Sequence, residues 1–173
     1  VKLNVSKKEI ISFKKIKISK KMKDLVKNHL LLIYTKRKRD SAKVILSQKK
    51  NENIISIYDS IKSLNNDFID SFKKKKIKKL ANLFNVHWEL KKKISNIMSN
   101  NVINSLYKKL IIKHYCEGGK LIGAGGGGFF LMVVKNKKKF LTSLRNSKIT
   151  YLNFDVDSRG SRIIDTTLSN FKK

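Results

Sequence analysis

One stretch, residues 118–134 (Gly-Gly-Lys-Leu-Ile-Gly-Ala-Gly-Gly-Gly-Gly-Phe-Phe-Leu-Met-Val-Val), constrains this chain more than any other. It holds seven of the eight glycines in a sequence that contains no proline. The run Gly125, Gly126, Gly127 and Gly128 carries no Cβ, so it can enter left-handed backbone conformations and admit a close neighbour. Such freedom costs conformational entropy on folding, and a run of this length needs a compensating use. Both flanks, residues 120–122 and 129–134, are apolar and β-like. The segment therefore reads as strand, glycine loop, strand.

That context excludes two common nucleotide-binding fingerprints. Residues 123–128 satisfy G-x-G-x-x-G literally, but the dinucleotide motif must open a helix whose N-terminus holds the pyrophosphate. Here a strand follows. The phosphate-loop pattern with a closing Lys-Ser/Thr fails as well, because Lys120 precedes the glycines and no Ser or Thr follows to meet a magnesium ion. Two uses remain open at this point. The loop N–H groups can form an anion-binding nest, or the missing side chains can let a neighbouring segment pack against bare backbone.

The net charge of +29 suggests polyanions, but only five of the 41 basic residues are arginine, the residue suited to bidentate phosphate and base contacts. The lysines are spread along the whole chain, which describes a solvated surface with salt-sensitive, nonspecific affinity for nucleic acid. The apolar runs are far shorter than the ~18–20 residues needed to span a bilayer. No membrane partner is expected. A single cysteine, Cys116, reads as a small buried hydrophobe in a reducing, cytoplasmic setting. His29, His87 and His114 lack metal-ligand spacing, and Asp155, Asp157 and Asp165 sit on different presumed elements, so no metal site is expected.

Read in order, residues 1–5 alternate as a strand. Ser6 and Glu9 suggest a capping box for a helix through Ile10, Ile11, Phe13 and Ile16 that breaks before Met22. Residues 29–34 form a strand, followed by a basic turn at 36–39. Asp40 or Ser41 caps one long helix reaching Leu64. Helices are expected over 67–72, 77–97 (with Leu80, Leu83, Phe84, Trp88 and Ile94 on one side) and 102–115, with Asn100-Asn101 as a break. Residues 149–154 and 161–164 read as the last strands, with a short helix over 140–145 before them. Strands near both ends bracketing a block of helices predict an α+β two-layer sandwich.

Four segments in this order resemble the GHMP kinases. Residues 119–129, Gly-Lys-Leu-Ile-Gly-Ala-Gly-Gly-Gly-Gly-Phe, are similar to that family's third conserved motif. Tyr34-Thr35 with Arg39 and Ser41 resembles a Y-T-G-x-x-R-x-S segment. Residues 87–94, His-Trp-Glu-Leu-Lys-Lys-Lys-Ile, resemble an H-x-W-E-L-K-K helix, and residues 160–163 a closing G-S-R-V/I. The last three point to the branch that contains the D-glycero-D-manno-heptose 7-phosphate kinases. Lys36 departs from the pattern, standing where the glycine after Tyr-Thr is usual.

The resemblance implies a ferredoxin-like C-terminal domain over residues 1–165, with an inserted block of helices and a frayed tail at 166–173. It also implies that the family's N-terminal half, with its phosphate loop, metal carboxylate and catalytic acid, is not in this chain. The complete enzyme would use ATP and Mg2+ to phosphorylate a sugar phosphate, and this chain alone would be inactive without that partner half. Gly123, Ala124, Gly125, Gly126, Gly127 and Gly128 would lie beside the nucleotide phosphates. Lys120, Arg39 and Tyr34 are further candidates near the substrate. The alternative from another class is a non-enzymatic basic module for RNA or another polyanion.

Overall fold

The computed structural model describes residues 2–5, 11–14, 16–17, 19–145 and 147–157. Its centre is a four-stranded sheet in the order β4-β5-β3-β6, built from β3 (Leu30–Tyr34), β4 (Cys116–Leu121), β5 (Phe129–Val134) and β6 (Tyr151–Leu152). Every neighbouring pair is antiparallel. Helices α2 (Ser41–Gln48), α3 (Ile54–Ser63), α4 (Asn65–Lys73), α5 (Ile77–Lys92) and α6 (Asn101–Lys113) lie between β3 and β4 in sequence, and α7 (Lys137–Leu144) lies between β5 and β6. Counted within the sheet alone, the strand order is 4-1-3-2, the split βαβ arrangement of ferredoxin-like folds. The expected α+β architecture with an inserted helical block is therefore present.

Side chains alternate across the strands and build a core on each face. Leu31, Ile33, Phe130, Met132 and Val134 enter one cluster with Trp88, Ile103, Leu110, Leu121 and Phe140. Leu30 and Val133 enter the other, with Leu25, Leu80, Ala81 and Phe84. Helix α5 contributes to both. Its first half carries Leu80, Ala81 and Phe84, and its second half carries Trp88, so the helix straddles the edge strand β4. The missing side chain at Gly118 permits this: a Cβ there would collide with the Ala81 carbonyl of α5 and lie 2.6 Å from Asn85 Oδ1. Asn85 then stitches helix to strand, accepting from Gly119 N at 3.0 Å and from Tyr107 Oη at 2.5 Å.

Trp88 is fully buried and meets the Phe130 ring edge-on at 5.8 Å, the core role expected of it. Cys116 is buried, and its thiol is pushed up to about 12 by desolvation, with Glu117 adding to the effect. No helix among the described residues is long and apolar enough to cross a membrane.

Several expectations require correction. Residues 11–14 are not helical: β2 (Ile11–Lys14) pairs antiparallel with β1 (Lys2–Val5). Ile11 and Phe13 repeat with a period of two, and that pattern prevails over the proposed helical one. The proposed capping pair Ser6 and Glu9 lies outside the described residues. A helix absent from the sequence reading, α1 (Lys20–His29), follows instead, with Ser19 Oγ accepting from Met22 N.

The long helix from Asp40 is two helices. Asp40 does cap α2, its carboxylate accepting from Lys43 N at 3.0 Å. The helix stops because Asn51 turns the chain, accepting from Asn53 N and donating to the carbonyls of Lys93 and Ile94 at 2.8 and 2.9 Å. Likewise α4 begins at Asn65 rather than at residue 67, and α5 ends at Lys92 rather than Ile97. The expected strand at 161–164, the closing segment 160–163 and the tail lie outside the described residues.

Candidate functional site

The glycine loop leaves β4 at Leu121 and re-enters the sheet at Phe129, where Ile122 N donates to the Phe129 carbonyl at 2.9 Å. Gly123, Gly125, Gly126 and Gly128 have φ of 78°, 113°, 72° and 94°, the left-handed region that side chains disfavour. Close packing, one of the two uses open from sequence, takes up much of the loop. A Cβ on Gly125 would collide with the Met98 sulfur, and one on Gly127 would lie 2.6 Å from the Arg37 carbonyl. Gly126 N donates to the Met98 carbonyl at 2.9 Å and Gly128 N to the Arg37 carbonyl at 3.0 Å. Among the described residues, no carbonyl accepts from the N–H groups of Ala124, Gly125 or Gly127. The anion-nest use is therefore partly foreclosed and partly open.

The segment after β3 closes over the loop. Buried Thr35 donates to the Gly128 carbonyl twice, through its backbone N and its Oγ1, each at 2.9 Å. Arg39 Nη1 donates to the Ile122 carbonyl at 3.2 Å and occupies the space that a Cβ on Gly123 would fill. The structure thus brings the Tyr34–Ser41 region and the glycine loop together. Tyr34 itself leans its ring on Phe129 at the loop exit, with centroids 5.1 Å apart.

Lys120, expected near the substrate with Arg39 and Tyr34, engages α5 beside Lys91. Its Nζ meets His87 Nε2 at 3.2 Å and lies over the Phe84 ring, beneath α5. Desolvation lowers the Lys120 pKa. His87 is pushed down to about 4, first by burial and then by the charges of Lys120 and Lys91, so its imidazole is neutral at pH 7 and can accept from Lys120.

Sequence reasoning missed Lys91. Its Nζ donates to the Gly123 carbonyl at 2.5 Å and to the Leu121 carbonyl at 3.2 Å. Burial, with the positive charges of Lys120 and Arg39, lowers it to about 8. The available clue was spacing: His87 and Lys91 are one helical turn apart and share a face of α5. Of the neighbouring helix residues, Glu89 is exposed and pairs with Lys92 at 2.8 Å, so neither joins the cluster. His29 and His114 are remote from it, bonded to the Val134 carbonyl and to Ser143 Oγ respectively.

Several solved structures similar to this chain are named as kinases. Mevalonate kinase from Methanococcus jannaschii superposes with a TM-score of 0.61 at 28% identity, covering 80% of this chain and 43% of that one. Phosphomevalonate kinase from Streptococcus pneumoniae gives 0.60 at 19% identity, over 72% and 39%. A D-glycero-D-manno-heptose 1-phosphate kinase from Bacteroides thetaiotaomicron gives 0.58 at 17% identity, over 88% and 40%. These are GHMP-family kinases.

The chain has the GHMP-kinase fold. It spans less than half the length of each of these structures. No protein-family model matches the sequence, and no curated protein matches it significantly. Within this GHMP fold, Lys36 gains a geometric explanation. It stands where the resembled segment has glycine, and its φ is 55°. The backbone keeps the glycine conformation with a side chain in it, at a strain of about 1 kcal/mol.

Proposed function

We propose that this chain is the C-terminal portion of an ATP-dependent GHMP-type kinase, and that its glycine loop forms one wall of the phosphotransfer cleft. The observation that carries this reading is the junction of Thr35, Arg39 and Lys91 on the loop, in a fold shared with mevalonate and phosphomevalonate kinases. In phosphoryl transfer a protein contributes chiefly positioning and electrostatic stabilisation. Arg39 and Lys91 suit the binding of phosphate charge beside Gly123. Magnesium is less well served: no group of three metal-capable side chains occurs among the described residues. The metal ligands, the nucleophile-activating group and the rest of the cleft would come from the remaining half, in the same polypeptide or in a partner chain.

The acceptor is read as an alcohol that already carries an anionic group. The three neighbouring kinases are named for mevalonate, phosphomevalonate and a heptose phosphate, all anions. The sequence segments at 34–41 and 87–94 favour a phosphorylated heptose such as D-glycero-D-manno-heptose 7-phosphate. Labelled ATP and a panel of these acceptors test the proposal. The chain alone should give no turnover, and adding an N-terminal GHMP half should restore it for the phosphosugar. Turnover by the chain alone, or none with any acceptor after the halves associate, overturns the reading.

A further inference from the structure

Three consecutive carbonyls at the start of the glycine loop are each held by a cationic side chain. Lys91 Nζ binds those of Leu121 and Gly123, and Arg39 Nη1 binds that of Ile122. The two cations therefore flank Gly123 from different elements, α5 and the segment that follows β3. Lys91 is half-buried and Arg39 is exposed, so the site opens to solvent. Among the described residues, the ion pairs all lie elsewhere, and no carboxylate pairs with Arg39, Lys91 or Lys120. Half-burying like charges together is unfavourable unless an anion joins them.

Donors remain for such an anion. An ammonium has three N–H groups and a guanidinium five, of which the carbonyls engage two on Lys91 and one on Arg39. The neighbouring N–H groups of Ala124 and Gly125 have no carbonyl acceptor among the described residues.

We propose that Lys91 and Arg39 clamp a phosphate group at Gly123, with Lys91 the anion-binding residue contributed by α5. The clamp rests on the kinase reading for its biological ligand, a nucleotide phosphate or the phosphate of the acceptor, but not for its chemistry. The depressed Lys91 pKa adds a signature: an anion favours the charged ammonium, so binding near pH 8 takes up protons.

Titration calorimetry of the 173-residue chain tests this, with inorganic phosphate, ATP and heptose 7-phosphate as probes in about 150 mM chloride to screen the lysine surface. Lys91→Gln keeps a donor for the loop carbonyls and removes the charge. It should weaken phosphate binding at least about tenfold and abolish proton uptake, while Lys91→Arg retains binding. Arg39→Gln, at an exposed position, should weaken binding similarly. Lys108→Gln, at an exposed position on α6, should change it less than about twofold.

Whichever of ATP and heptose 7-phosphate loses affinity with Lys91→Gln identifies the source of the phosphate. Unchanged phosphate affinity in a folded Lys91→Gln chain, or no saturable phosphate binding at all, overturns the clamp. The kinase reading fails separately: if the associated halves transfer no phosphate while binding still depends on Lys91, the clamp stands and the kinase reading does not.

Discussion

Gly118 in the strand and the glycines of the loop lack the same atom for different reasons. Gly118 sits in β4 beside a register shift, without a left-handed φ, and the absent Cβ makes room for a rigid object, the Ala81 carbonyl of α5. In the loop, four of the glycines are in left-handed conformations, and most of their close neighbours are side-chain atoms of Arg39, Met98 and Val44. The first case is a constraint of packing and the second chiefly one of backbone conformation. The lesson is that a glycine's tolerance depends on what stands where its side chain would be. The exception within the loop is Gly127, whose neighbour is the Arg37 backbone.

Substitutions can break this comparison. The largest effect is expected for Gly118→Ala, about 3 kcal/mol of destabilisation, because helix and strand must move apart. Urea denaturation measures it. Gly125→Ala should cost about 2 kcal/mol, combining its φ with displacement of the Met98 side chain. Gly126→Ala meets only Val44 Cγ2 at 3.3 Å and the Ile97 carbonyl at 3.5 Å, so about 1 kcal/mol of backbone strain remains. If Gly118→Ala proves no more destabilising than Gly126→Ala, the distinction between packing and conformation is wrong. Lys36→Gly sharpens it from the other side. Relieving the strained φ of 55° should raise stability by up to about 1 kcal/mol, less the entropy that glycine gains in the unfolded chain.

A further effect is electrostatic and is read as a pH dependence. Lys91 titrates near 8 when folded against 10.5 as its ordinary value, so between these pH values the unfolded chain binds more protons. Stability should rise with pH across that window, and the Lys91 burden is fully present below about pH 8. Melting curves of the parent and Lys91→Gln from pH 7 to about pH 11 should converge as pH rises, because the ammonium is lost from both states.

Much of the fold was legible because its strongest patterns are local. The apolar run of β5, the helical period of α5 and the Asp40 cap each follow from neighbouring residues, and each is present. The misreadings occurred where tertiary partners decide. Asn51 ends α2 by reaching carbonyls more than forty residues away. Ile11 joins a ribbon whose register depends on Val5. The site divided in the same way. The glycine loop announced itself by composition, and Arg39 by its place in a segment. Lys91 was one lysine among many, and only folding α5 across β4 sets it on the Gly123 carbonyl.

That crossing has a consequence for how the molecule opens. A helix that serves one face of a sheet can detach and leave the other face intact. Here α5 supplies Trp88 to one core and Leu80 and Phe84 to the other, so removing it exposes both at once. The two faces are thereby coupled into one cooperative unit, and the central amides of β3 and β5 should exchange with solvent at a common opening free energy. Lys91 rides on the same helix, so its hold on the loop should persist until that shared opening.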